Sequence, residues 1–507
     1  MATEIRETER KYEAPAGTSL PGLDGLPGVA AASGPQEQRL EARYYDTEDL
    51  RLIRNGVTLR RRQGGSDAGW HLKLPESGDS RREIRLPLAR ATRQVPKELG
   101  RLVRAFTRGE ALAPVAEINT VRQSRVLLDE AGGSLAEVSD DHVSASTLGG
   151  QTQLSHWREV EVELTGGGQG LLAAADKLLR RSGLRPAGRQ AKLERALGGQ
   201  LPSRNGGRGR AARVSTAADV VLAYAGTQVA AIMTLDPLVR RSEPDAVHQM
   251  RVATRRLRST LTSFGRVLCA EDCERLGDEL KWLGGVLGTA RDAEVMAAHL
   301  RAGLDELPPE LIMGPVRARV RAHFAPVEAG ARAAVLEALD GDRYLALLDS
   351  LDALLADPPL APEAGRPAAD VLPAAVRHTR GRLRRRMRRA RHAPPGPGRD
   401  TALHEARKAA KRARYAAEAV SPAFGKPARR FARRVKAVQS VLGDHHDGVV
   451  ARATIRDLGV QAHLAGENAF TFGVLYERDS CGAEDVEAQA RRAWKRAAKR
   501  KYRAWLR

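Results

Sequence analysis

The period of the hydrophobic pattern changes once along this chain, and that change limits the fold more than any other feature. Between about residues 4 and 164, short stretches alternate apolar and charged positions, as at 58–62, 71–74, 81–86, 121–128 and 158–164, with Gly, Pro, Asp and Ser between them. Period-two alternation is a strand signature, because successive side chains leave opposite faces of a pleated backbone. Residues 170–182 read as one helix stopped by Gly183. From about 214 onward Ala, Leu and Arg recur at helical spacing, interrupted by Pro-rich breaks at 357–373 and 393–397. A Gly- and Arg-rich stretch at 199–213 separates the two regimes and reads as a linker. The expected fold class is therefore α+β and multidomain, which 507 residues also favour.

The helical part repeats itself. VHQMRVATRRLRSTL from Val247 is followed by LKWLGGVLGTARDAEV from Leu280; LHEARKAAKRARYAA from Leu403 is followed by VKAVQSVLGDHHDGVV from Val435. His248 and His404 are 156 positions apart, Lys281 and Lys436 155 apart. Two blocks in one order at nearly one offset predict a duplicated helical bundle. Charge is unevenly divided as well. Residues 1–200 hold 30 Lys/Arg and 27 Asp/Glu, a net of +3, and the remainder holds 54 and 35, a net of +19. Such a surface draws polyanions, with nucleic acid, anionic lipid and inorganic polyphosphate as candidates. Cys269, Cys273 and Cys481 form neither a disulfide framework nor a zinc motif, which fits a reducing compartment. The charged N-terminus lacks a signal-peptide core and no run of about 18 apolar residues stands out, so a cytoplasmic protein without a membrane span is expected.

The N-terminal strands carry their charge in rows. Glu7, Glu9 and Lys11 share one strand face, as do Glu159, Glu161 and Glu163, with Val160, Val162 and Leu164 opposite. Arg60 and Arg62 oppose Leu59, Lys73 lies between Leu72 and Leu74, and Arg81, Glu83 and Arg85 alternate with Ile84 and Leu86. Arg122 starts another strand, and Lys192 follows the helix. Either these faces are solvated, as in a one-sided sheet, or they line the inside of a barrel. In the second case carboxylates would hold divalent cations and Arg and Lys would grip phosphate oxygens. Trp70 and Trp157 are expected on outer faces, which leaves no aromatic pocket for a nucleobase.

ETERK at 7–11 resembles the ExExK signature of the CYTH superfamily, the triphosphate tunnel metalloenzymes. The later strings YYDTEDLRL, LRRR, WHLKLP, REIRLPL, LAEVSDD and WREVEVEL follow in that family's order, over roughly 4–196. The resemblance implies an eight-stranded antiparallel β-barrel tunnel that hydrolyses triphosphates with Mg²⁺ or Mn²⁺. It casts Glu7, Glu9, Glu159, Glu161 and Glu163 as metal ligands. Lys11, Arg60, Arg62, Lys73, Arg85, Arg122 and Lys192 become triphosphate contacts, with Glu83, Glu137 and Asp141 as additional tunnel acids. Inorganic triphosphate is the expected substrate.

In the helical part, His248, Arg251, Arg255 and Arg258 are spaced 3-4-3, and so are His404, Arg407, Lys411 and Arg414. Each set makes one stripe on a helix, beside an apolar stripe of the type Met250, Thr254, Leu257 and Leu261. Stacked like charges repel one another, so either the stripe is solvated or a polyanion relieves it. These blocks resemble the CHAD domain, over about 216–507. That resemblance implies two four-helix bundles related by a pseudo-twofold axis, with a basic groove for long-chain polyphosphate. Lys281, Arg291, Lys436 and His446 join the two stripes as candidate contacts. The first copy has GTARD where the second has GDHHD, so the histidine at that motif occurs once. The implied domains are 1–198 for the tunnel, 199–214 for the linker and 215–507 for the helices, with repeats at about 215–355 and 370–507.

The reading that follows is a metal-dependent triphosphatase with a polyphosphate-binding helical domain. The alternatives are a non-catalytic protein targeted to polyphosphate granules, a nucleotide cyclase, and a nonspecific nucleic-acid binder. Aromatic residues are only 4% of the chain, which argues against stacking platforms for single strands.

Overall fold

The computed structural model describes residues 3–15, 17–76, 80–88, 94–149, 152–188, 191–201 and 216–506. Most of the expected linker, 202–214, lies outside the described residues. The chain forms two compact units, Met1–Arg208 and Gly209–Arg507.

Among the described residues the first unit contains ten strands: β1 (Thr3–Glu13), β2 (Ala31–Ala32), β3 (Gln36–Asp46), β4 (Thr58–Gln63), β5 (Gly69–Pro75), β6 (Ser80–Pro87), β7 (Ala113–Leu128), β8 (Ser134–Thr147), β9 (Leu154–Leu164) and β10 (Arg185–Gly188). Eight of them close into an antiparallel ring in the order β1-β6-β5-β4-β3-β7-β8-β9, with β9 pairing back to β1. β2 adds to β7, and β10 adds to β1. Five short helices accompany the barrel: α1 (Arg51–Arg54), α2 (Lys97–Leu102), α3 (Arg104–Thr107), α4 (Gln169–Arg181) and α5 (Lys192–Leu197).

Closure decides which face is inside. Leu59, Leu72 and Ile84 are neighbours across β4, β5 and β6 and are fully buried on the outer side. Val138, Val160 and Val162 also point outward, into a core with Leu171, Leu172, Ala175 and Leu179 of α4. The alternating charged positions are thus left to the lumen, where they are desolvated and must find partners. α4 ends as expected, with Gly183 at φ 89° where a left-handed residue closes the last turn. One end of the lumen is apolar: Leu193 and Leu197 of α5 pack with Ala42, Tyr44, Val143 and Ala145. Trp157 packs against that cluster on the same face of β9 as Glu159, which corrects the expectation that it points outward. The regular β9 backbone puts every odd position inside, and the apolar plug gives the indole a place there.

The second unit is helical: α6 (Ala217–Arg240), α7 (Ala246–Ser263), α8 (Ala270–Asp305), α9 (Val316–Asp340), α10 (Asp342–Ala356), α11 (Ala368–His392), α12 (Pro397–Ala419), α13 (Ser421–Leu464) and α14 (Phe470–Ala497). The expected break at 393–397 falls between α11 and α12, and that at 357–373 between α10 and α11 only as far as Pro367, since Pro373 lies within the first turns of α11. Duplication is visible in the packing. α6 meets α11, α7 meets α12 and α8 meets α13, each pair being equivalent members of the two copies. The copies also merge, because Leu300, Phe324, Ile455, Leu458 and Phe472 share one core across α8, α9, α13 and α14. α6 starts with a capping box between Thr216 and Asp219. Among the described residues it is the one helix long and apolar enough to cross a membrane; its Val220, Val221 and Ile232 are buried in the bundle.

Candidate functional site: a charged lumen and a twofold cation cluster

β1, β9 and β8 set carboxylates side by side in the lumen. Glu9 lies opposite Glu163 on β9, and Glu163 lies opposite Glu137 on β8, with Glu7 two residues before Glu9. Like charges directly opposite on neighbouring strands repel. Burial, then Glu7 and Glu9, push the Glu163 carboxyl up to about 7. Glu137 accepts from Ser139 Oγ at 3.2 Å. Burial also raises Glu7, although Lys73 pairs with it and Arg85 lies 3.2 Å away. Desolvation opposes the charge of Glu9, but Lys11 at 3.4 Å and Lys73 prevail and lower it. Among the described residues Glu163 and Glu137 have no ion-pair partner, while Lys11, Lys73 and Arg85 serve Glu7 and Glu9, so the hard oxygen donors at Glu163 and Glu137 suit a divalent metal.

A second acidic group lies deeper. Asp141, Glu159 and Glu161 bring ligand atoms within 4.8 Å of one another. Lys192 Nζ already sits among them, 2.9 Å from Asp141, 2.6 Å from Glu159 and 2.7 Å from Glu161. Arg122 adds a two-pronged contact to Asp141 at 2.8 and 2.7 Å and reaches Glu161 at 2.9 Å. Lys11, Lys192 and Arg122 overcome burial and hold the Glu161 carboxyl far below its usual range. An ammonium thus fills the place a cation would take in this triad. Trp157 Nε1 donates to Glu159 at 2.6 Å, so Glu159 faces the plug and not the open lumen.

Across the ring from β9, β4 supplies Arg60 and Arg62, and further cations stand among the acids. Arg60, Arg62, Lys73, Arg81, Arg85, Arg122 and Lys192 line a cavity of about 270 Å³ together with Glu7, Glu9, Glu137, Glu161 and Glu163. The Nε atoms of Arg60 and Arg62 are buried and bond to no described residue. Burial, with Arg60 and Arg122 close by, pushes the Arg62 guanidinium down to about 9, although it pairs with Asp67. Such donors are desolvated but unsatisfied, and an oxyanion fits them. Glu83 is fully buried below these cations, held by His71 at 2.9 Å and by Lys73 and Arg85. Three contributors went unread in the sequence: Tyr44, whose hydroxyl accepts from Arg60 at 3.2 Å, His71 and Asp67. His71 shares parity with Lys73, so alternation alone could have found it.

In the helical unit α7 and α12 bring the two stripes together. Arg251 and Arg255 from α7 meet Arg407 and Lys411 from α12: burial, then Arg251 and Arg407, lower the Arg255 guanidinium, and burial, then Arg255, Arg407 and Arg251, push the Lys411 amine down to about 6. Arg251 packs tightly on Gly288, where a Cβ would lie 3.1 Å from its Nη2, and Arg407 packs on Gly443, where a Cβ would be at ordinary contact, 3.5 Å from its Nη2. Arg251 bonds Asp292 at 2.9 Å, and Arg407 approaches Asp447 at 3.5 Å, the matching acid of the second copy. His404 stacks on His446 with ring centroids 4.2 Å apart, and Arg291 takes part on the first side near His248. Arg414 turns to Glu418 at 2.6 Å and Gln439 at 3.2 Å, and Arg258, Lys281 and Lys436 are exposed. The sequence stripes therefore divide into a convergent centre and a periphery.

Over residues 6–190 the chain matches the CYTH domain family, and over residues 223–456 the CHAD domain family. An uncharacterized protein of Mycobacterium tuberculosis is 38% identical over 515 residues, spanning 97% of this chain and 96% of that one. Among solved structures, PptA from Streptomyces chartreusis is 23% identical with a TM-score of 0.47, covering 55% of this chain and 100% of its own. The CHAD domain from the plant Ricinus communis is 28% identical with a TM-score of 0.44, covering 55% of this chain and 92% of its own.

Proposed function

From a chain that belongs to the CYTH family in its first unit and the CHAD family in its second, we propose a metal-dependent triphosphatase joined to a polyphosphate-binding helical unit, with inorganic triphosphate as substrate. CYTH proteins are metal-dependent triphosphatases or cyclases, so the family sets the enzyme class only that far. The observation that carries the reading is the lumen itself, in which Glu163 and Glu137 stand without an ion-pair partner among the described residues, across from Arg60 and Arg62 with unsatisfied Nε donors.

A phosphate chain between these residues would take the free Nε–H groups of Arg60 and Arg62 and raise the depressed titration of Arg62 again. A divalent ion, Mg²⁺ or Mn²⁺, held by Glu7, Glu9, Glu163 and Glu137 would supply charge neutralisation and water of lowered pKa. Lys73 and Arg85, now paired with Glu7, would turn to phosphate once those carboxylates are engaged. Phosphoryl transfer asks mainly for positioning and charge stabilisation, which a closed, desolvated lumen provides. Glu7→Ala with Glu9→Ala should lower Mg²⁺-dependent phosphate release from inorganic triphosphate by about a hundredfold or more. Undiminished turnover in that double variant would remove the site.

Lys192 favours a second reading. Because its ammonium fills the tight acidic triad, the lumen could hold phosphate without turning it over, leaving a targeting protein. Phosphate release that is absent with Mg²⁺, Mn²⁺ or neither, over inorganic and nucleoside triphosphates, would select it. In the helical unit the proposed polyphosphate contacts centre on Arg251, Arg255, Arg407 and Lys411.

A further inference from the structure

The buried guanidinium of Arg62 has one edge half used. Its Nη2 pairs with Asp67 Oδ2, while Nε, on the same edge, is buried and bonds to no described residue. Nε–H and Nη2–H of an arginine point side by side, so an oxyanion seated squarely there takes both in a two-pronged contact. Asp67 takes one. It reaches the lumen from the turn between β4 and β5 and lines the cavity with Arg60, Arg62, Lys73 and Arg85. The same Oδ2 lies 3.9 Å from Arg85 Nη1. A carboxylate thus stands where two arginines read as phosphate contacts converge, and it serves the more buried of them incompletely.

The chain beneath that carboxylate is tied down. The carbonyl oxygen of Asp67 lies 2.8 Å from His71 Nε2 and, being only an acceptor, accepts from it. The other ring nitrogen of His71 lies 2.9 Å from Glu83, and both of these side chains are fully buried. The Asp67 side chain is 23% exposed, so rotation about its own bonds carries the carboxylate from Arg62 to water while the anchored backbone stays in place. We propose that Asp67 is an affinity-determining residue of the lumen, an internal counterion that holds a phosphate's place on Arg62 and is displaced when phosphate binds. The inference rests on the reading of the lumen as a triphosphate site, and it adds what the substrate must compete with. A phosphate supplies the Nε contact that Asp67 leaves unmade and carries more charge, so the exchange runs in its favour. The affinity observed is what is left once the Asp67 pair has been broken.

The test is titration calorimetry of the full chain, with Mg²⁺, against a triphosphate analogue whose bridging oxygens are replaced by methylene groups, so that binding is read without turnover. The share of the signal that belongs to the lumen is the part lost when Arg60→Gln and Arg62→Gln are combined. Asp67→Asn keeps the shape of the side chain and removes its charge. It should tighten lumen binding by roughly tenfold, the worth of one charged hydrogen bond no longer broken. The same variant should lower the Tm of the unliganded chain, because Arg62 then lacks a counterion. Asp67→Ser should behave alike. A merely structural role moves both readings the other way together, to weaker binding and lower Tm. With Arg62→Gln in the background, Asp67→Asn should bring little further gain, since the contested seat is gone. Unchanged or weaker lumen binding in both Asp67 variants, or a gain of the same size without Arg62, would overturn the inference and leave the triphosphate reading intact. A wild-type signal with no lumen share would overturn both.

Discussion

At the scale of single residues, the two lysines Lys192 and Lys411 take opposite solutions to burial. Lys192 is surrounded by Asp141, Glu159 and Glu161, and they hold its ammonium charged. Removing that charge strands three carboxylates, so Lys192→Met should cost about 3–5 kcal/mol in a chelated sample. Added Mg²⁺ should return much of the loss by entering the vacated triad, which thermal melts with and without the metal would report. Lys411 has arginines for neighbours, and its titration in the folded protein is depressed to about 6. Below pH 6 the whole cost of packing its charge is present, and it fades as pH rises toward the value of an unfolded lysine. Lys411→Met should therefore raise Tm most near pH 6, with the advantage gone near pH 10. Parity made Glu7, Glu9, Lys73 and Glu163 legible in the sequence. Trp157 was misread in register, since it shares the parity of Glu159 on β9, and the apolar plug of α5 receives it inside.

At the scale of elements, alternation identified the strands but could not say which of their faces is enclosed. That needs the closing pair β1 and β9, contacts about 150 residues apart in sequence such as Lys11 with Glu161. The two copies of the helical motif were legible as a repeat, yet the use of Gly288 and Gly443 as seats for Arg251 and Arg407 required the packed helices. The turn after β4 makes a similar point. Gly64 has φ 79°, and a Cβ there would lie 2.1 Å from the carbonyl oxygen of Arg39 in β3. Gly64→Ala should destabilise the first unit by about 1–3 kcal/mol or more, through strain and a backbone clash. Urea unfolding of that variant should show the loss. Arg62 lies two residues before Gly64 on β4, so phosphate release should fall with it.

At the scale of the whole molecule, charge and chemistry are divided between units. The first 200 residues carry a net +3 and work by a lumen in which charges are paired, whereas the remainder carries +19. Polyphosphate binding by the full chain should weaken steeply with ionic strength, as expected where counterions are released. Glu7→Ala with Glu9→Ala should leave that salt dependence as it is, a separation readable by competition with labelled polyphosphate. Composition foretold this division, and DNA in the same competition would show whether the basic surface distinguishes one polyanion from another.

The barrel closes through its own N-terminus, since β1 hydrogen-bonds both to β6 and to β9. During synthesis β1 emerges before its partners; β6, which pairs with Thr3–Thr8, is complete at Pro87, but β9, which pairs with Glu9–Glu13, ends only at Leu164. A nascent chain must therefore carry the Glu9 half of a charge-studded strand unpaired until most of the unit has left the ribosome. Those repelling side chains, awkward as they are for the finished lumen, keep that waiting edge from recruiting a stranger.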